Sequence, residues 1–192
     1  MARLLEMQYL FPDNLREISG MWSDLARVLL AAGDRKDELA ARREAYKKTL
    51  EWNEVEFADE EVVVRGSLLA ISLFRDDERT DARVREAHVL LRKVAPLSRR
   101  TFGPDDDITL ESRKLYAKSL YLADAAPRDD VAKATTILED LARTARRRAS
   151  CEYTEEIHAT LEEAREKLAS LQSTRRRSTR TQAALEAAVL AM

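Results

Sequence analysis

Few residues of this chain have the type and spacing to do chemistry. Glu155 and His158, with Glu162 one turn further on, spell one half of a di-iron carboxylate site on a helix. Such a site needs a second Glu-x-x-His and two more carboxylates facing inward. The other histidine, His88, has Arg85 where that glutamate would stand. The pair therefore reads as a solvated helix face, and no metal or cofactor is expected. Cys151 follows an arginine cluster that would favour its thiolate. A lone cysteine at a helix start reads as an unreactive or packed thiol. The glycines stand isolated at positions 20, 33, 66 and 103, so there is no phosphate-cradling loop. No nucleophile elbow is present either. No catalytic residue is assigned, and a non-enzymatic role is expected.

The arginines offer a different chemistry. Arg143, Arg146 and Arg147 recur at helical spacing and could line up along a phosphate backbone. No aromatic residues interleave with them to stack bases. Glu139, Asp140, Glu155 and Glu156 lie close enough in sequence to neutralise the stripe. It reads as a salt-bridged face, and nucleic-acid binding is kept only as an alternative. Arg146-Arg147-Arg148-Ala149-Ser150 and Arg175-Arg176-Arg177-Ser178 have the pattern of basophilic kinase sites. A phosphate on Ser178 would pair with the adjacent arginines.

The bulk of the chain must supply the elements that position these residues. Of 192 residues, 45% are apolar and 35% charged, with a net charge of −2. That balance is globular and creates no global field toward nucleic acid. Only four Gly and four Pro are present, which favours long helices with short loops over a sheet with many turns. The single cysteine rules out an intrachain disulfide and fits a reducing, cytoplasmic setting. The apolar N-terminus, Met1 to Leu10, is interrupted by Glu6 and Gln8 and lacks a small-residue cleavage site, so no secretory signal is expected. No apolar run reaches the length of a membrane-spanning helix, and no membrane partner is expected.

The chain repeats itself. A shift of 47 residues carries Ala70 onto Ala117, Leu73 onto Leu120, Ala87 onto Ala134, Leu91 onto Leu138 and Arg99-Arg100 onto Arg146-Arg147. Self-similarity at a period of about 20 to 50 residues marks stacked helical repeats. Such arrays supply surface more often than chemistry.

Helical spacing divides the chain further. Residues 2–10 read as a short helix, with Asp13 or Asn14 capping the next. Ile18, Trp22, Leu25, Ala26, Leu29 and Leu30 form the stripe of that next helix, and Gly33-Asp34 stops it. Its return helix carries Leu39, Ala40, Arg43, Tyr46 and Leu50. Val62-Val63-Val64 would suit a strand by propensity, but Leu68, Leu69, Ile71, Leu73 and Phe74 continue a helical pattern directly. Arg75 to Arg79 is a polar turn, and Pro96 is expected to fray or kink the following helix. Asp107 is the expected N-cap of a third hairpin. The hairpins are predicted at about 13–52, 60–98 and 107–149, with an extra helix at 152–171. Residues 173–192 read as a tail, disordered over its Arg/Ser/Thr-rich part to residue 181 and ending in a short apolar helix.

At these positions the chain resembles a tetratricopeptide repeat (TPR) array. Trp22, Leu25, Ala26 and Leu29 match the family's first-helix pattern, as do Leu69, Ala70 and Leu73, and Tyr116, Ala117 and Leu120. The junction Arg99-Arg100-Thr101-Phe102-Gly103-Pro104, followed by Thr109-Leu110, resembles the longer repeat unit of kinesin light chains. The resemblance covers about residues 15–171. It implies an all-α, right-handed solenoid of about three stacked hairpins with flanking helices. The chain departs from the family in three ways. Asp106-Asp107 replaces His-Pro in the turn, and the first hairpin is offset by 44 residues (Ala26 to Ala70). The groove asparagine of many peptide-binding members is also absent, since Ser23-Asp24, Ser67-Leu68 and Lys114-Leu115 stand there.

In that architecture the first helices line a concave groove. Counting from the Leu-Ala pairs places Ser23, Arg27 and Leu30, then Val64, Ser67, Ile71 and Phe74, then Glu111, Lys114, Lys118 and Tyr121 on it. The expected role is a non-catalytic protein-interaction scaffold. Its partner would be a protein or peptide with one or two large apolar anchors beside an acidic group. The alternatives are self-association, through the array ends or residues 183–192, and nucleic-acid binding through the arginine stripe.

Overall fold

The computed structural model describes residues 14–75, 79–148 and 154–190, the last stretch from residue 175 onward as the course of a helix only. The helix expected at 2–10, Asp13 as a cap, Ser150 and Cys151 lie outside the described residues. Within them the chain forms seven helices and no strand. They are α1 (Leu15–Ala31), α2 (Arg35–Glu56), α3 (Asp59–Leu73), α4 (Asp81–Phe102), α5 (Asp107–Tyr121), α6 (Arg128–Arg147) and α7 (Thr154–Leu190). Each packs on its neighbours in the chain, and α3 also meets α5, as α5 meets α7. This is an all-α stack of helical hairpins.

Local chemistry sets the helix ends. Asn14, Asp34 and Thr80 accept from the first-turn amides of Glu17 (3.3 Å), Asp37 (3.2 Å) and Arg83 (3.3 Å). Gly33, at φ 80°, closes α1 in a backbone region that favours glycine. The cap of α5 is Asp106, which accepts from Ile108 N at 2.9 Å, and not Asp107. Asp107 is instead the first helical residue, and its carboxylate receives Arg148 at 2.6 Å. Either aspartate could serve by type; the extended backbone of Asp106 decides. The helix α4 runs through Pro96 to Phe102. Pro96 is exposed, so the carbonyl that loses its partner can be hydrated. The valine run at 62–64 is helical, as the following periodicity requires.

The small residues that define the repeat lie in the interior. Ala26, Ala70 and Ala117 are fully buried, as are Ala87 with Ala134 and Leu91 with Leu138. One further shift of 47 carries Ala117 onto Ala164, also fully buried. The helix α7 thus takes the place of the first helix of a fourth hairpin. Ile157, Leu161 and Ala164 join Leu110, Leu120, Leu138 and Leu141 in one core cluster. The segment read as a disordered tail continues α7 to Leu190. No Gly or Pro interrupts it, and adding residues to an existing helix avoids the nucleation cost.

Candidate partner-binding groove

The first helices are tied together in sequence. Arg65 of α3 donates to Ser23 Oγ of α1 at 2.6 Å. Ser67 of α3 and Ser112 of α5 share a hydrogen bond of 3.1 Å. Tyr121 OH of α5 donates to Glu163 of α7 at 2.7 Å. These bonds span 42 to 45 residues, which is the repeat expressed as geometry.

Where α3, α5 and α7 line up, a trough of about 710 Å³ opens. Ile71, Phe74 and Arg75 come from the end of α3 and the residues just beyond it. Glu111, Lys114, Leu115 and Lys118 come from one face of α5, and Glu156, Ala159 and Thr160 from the first turns of α7. Phe74 and Leu115 are buried and form its apolar floor, while Ile71 projects with 37% of its surface exposed.

The charges within the trough are unequal in their freedom. Lys114 is buried; its ammonium lies 2.7 Å from Glu111 Oε2 and also pairs with Glu156. Burial disfavours its charge, but the two carboxylates outweigh that effect and hold its pKa above the ordinary lysine value. Arg75 Nη1 stands 3.3 Å from Glu38 Oε2, a carboxylate that is itself buried. Lys118 is half-buried and has no ion pair or side-chain hydrogen bond among the described residues. It is the cation best placed to meet an incoming acid.

Of the residues that counting placed on the groove, the trough collects Ile71, Phe74, Glu111, Lys114 and Lys118. It does not collect the others. Arg27 is exposed on α1 and paired with Asp24 at 2.8 Å. Leu30 and Val64 are half-buried outside the trough, and Ser67 is buried on Ser112. Tyr121 is buried in the core under α7, with its hydroxyl on Glu163. Counting missed Arg75, Leu115 and the α7 residues. The α7 contribution has a sequence signal, since Ala164 continues the 47-residue shift.

The other chemical candidates resolve in the same terms. Glu155 is exposed and His158 half-buried on α7; among the described residues no group of three or more His, Cys, Asp or Glu is placed to hold a metal. In the arginine stripe Asp140 receives Arg113 at 2.6 Å and Arg143 at 3.5 Å. The hydrogen bond from Arg113, more than its charge, pulls the Asp140 pKa below the usual aspartate value. Glu139 receives Arg165 at 2.9 Å. No helix among the described residues is long and apolar enough to cross a membrane.

Fold and trough together define an all-α helical-repeat protein with an open, partly cationic groove. Comparison with protein-family models, curated proteins and solved structures gives no match.

Proposed function

We propose that the chain is a non-catalytic interaction scaffold of the tetratricopeptide-repeat kind, which holds a peptide or protein segment in the trough between α3, α5 and α7. The observation that carries this reading is the pairing of an apolar floor with an unpaired cation. Ile71, Phe74 and Leu115 can receive one large apolar side chain, and Lys118 stands beside them on α5. A segment with an apolar anchor next to Asp or Glu complements both features. Lys114 serves this site indirectly, by joining α5 to α7. Within the arginine stripe Arg143 already faces Asp140, and the neighbouring Asp140 and Glu139 also hold Arg113 and Arg165, which favours a protein partner over nucleic acid.

The test is capture from the native cell lysate on the purified chain, beside an Ile71→Glu, Lys118→Glu variant that remains helical and monodisperse. A partner held by the parent and lost by the variant supports the trough. Partners held equally by both place binding elsewhere on the array. Reversing Lys114 is the wrong control, since it would gather three carboxylates in a buried position and act through folding.

A further inference from the structure

A second cavity, of about 410 Å³, lies between α4, the end of α5, the 122–127 connection and the start of α6. It shares no lining residue with the trough. Its walls are apolar: Val84, Leu120, Ala126 and Pro127. The connection that closes one side is fixed, because Asp124 N donates to Asp81 Oδ1 at 3.1 Å and Ala126 N to Ala123 O at 3.1 Å. A preformed apolar pocket of this size with a few convergent polar groups is the usual form of a small-molecule site.

The polar groups at its edge have a definite sense. Ser119 is buried and donates its one hydroxyl proton to Tyr116 O at 2.6 Å. It can then only accept in its 3.1 Å contact with His88 Nδ1. The proton of the neutral imidazole therefore sits on Nδ1, and Nε2 is left as a hydrogen-bond acceptor. The ring is held in place by stacking on Tyr116 at 5.7 Å. On its other elements His88 faces Asp130 and Lys133 of α6, with Arg92 on its own helix. Burial, the largest influence, keeps its pKa below the usual histidine value, so the acceptor form prevails at neutral pH. Asp81 and Asp130 also line the cavity, against one cation, the exposed Arg85. The Asp130 carboxylate has no ion pair or hydrogen bond among the described residues.

We infer that this cavity is a binding site for a small apolar amine, whose hydrocarbon body fills the pocket while its ammonium donates toward His88 Nε2 and faces Asp130. An acid of the same shape would meet the two lining carboxylates and an acceptor nitrogen, and is expected to bind more weakly than the amine.

The test is a titration of the full chain with phenethylamine, following the imidazole resonances by NMR, with hydrocinnamate as the anionic counterpart of the same body. His88 is assigned by its loss in His88→Phe. Phenethylamine is expected to shift the His88 signals saturably, with a Kd on the order of millimolar for so small a ligand, while hydrocinnamate does not. Asp130→Asn and Ala125→Trp, which removes the charge and fills the mouth respectively, should each weaken binding about tenfold or more. Lys118→Glu, in the trough, should leave it unchanged. The assignment is overturned if phenethylamine produces no saturable shift, if hydrocinnamate shifts the signals equally, or if Asp130→Asn and Ala125→Trp both retain the parent affinity.

Discussion

Between α5, α6 and α7 the joint is built on a large apolar cluster, with Leu110, Leu120, Leu138, Leu141, Ile157 and Leu161 all buried in it and the polar pairs Lys114–Glu156 and Tyr121–Glu163 beside it. Between α1, α2 and α3 it is partly polar. The apolar cluster there is small, with Ile18, Trp22, Ala26, Ala41 and Ala45. Around it Ser19 bonds Thr49 at 2.6 Å and Ala45 O at 3.2 Å. Glu38, only 1% exposed, accepts from Arg42 at 3.1 Å and Ser72 at 2.7 Å and pairs with Arg75. The 47-residue shift holds across the mainly apolar joint and drops to 44 across the partly polar one. Apolar packing needs only size and position, so equivalent positions can recur. The buried cluster around Glu38 needs particular partners, and the 47-residue shift does not reproduce it, since it carries Glu38 onto the exposed Arg85.

The sharpest way to break this comparison is to remove the Glu38 carboxylate. Glu38→Ala leaves Arg42 and Arg75 facing each other with no anion, and is expected to cost about 3 to 5 kcal/mol in urea unfolding. Amide exchange should rise first in α1 and α2 while α6 stays protected. Equal loss of protection along the whole chain would mean that the two joints are one cooperative unit. The opposite lesion is Leu138→Ala, which opens a cavity in the mainly apolar joint at a cost of about 2 to 5 kcal/mol, with exchange rising first in α6 and α7. The joint between the two is probed by Gly66→Ala. A Cβ there would lie 2.6 Å from Val94 Cγ2 and 3.2 Å from Tyr46 Cε2. Crowding a buried valine costs about 1 to 3 kcal/mol, against a helix-propensity gain of about 1 kcal/mol. A net loss of stability is expected, and a gain would show that α3 and α4 can separate freely.

The smallest effect is on pH. The folded-state pKa of His88 lies below its unfolded value, so the unfolded chain binds more protons as pH falls. Its contribution to stability is complete above the unfolded histidine pKa of about 6.5 and is lost as pH falls through the folded value. Melting temperature measured from neutral to mildly acidic pH should fall less in His88→Phe than in the parent. Equal falls would assign the acid sensitivity to other groups.

Much of this architecture is legible from periodicity. The helical stripes, the valine run read as helix and the fully buried alanines all follow from apolar spacing. The groove was legible only in part, because counting treats every counted position alike. In both α3 and α5 the next first helix covers some of the counted positions: Phe74 and Tyr121 are buried, and Ser67 and Lys114 are tied to Ser112 and Glu156, while Ile71 and Lys118 stay accessible. The Glu38 joint was invisible: a buried glutamate in a charged helix looks like any surface glutamate, and its partners Ser72 and Arg75 are 34 and 37 residues away. The continuation of α7 was missed because composition alone describes an isolated segment, not one already joined to a helix.

Selection by the trough of an apolar residue beside an acid is tested by sorting a random peptide display library on the full chain and on the Ile71→Glu, Lys118→Glu variant. Enriched peptides are expected to carry a large apolar side chain next to Asp or Glu, and to be lost on the variant. Enriched peptides without an acidic residue, or peptides bound equally by both proteins, would contradict it.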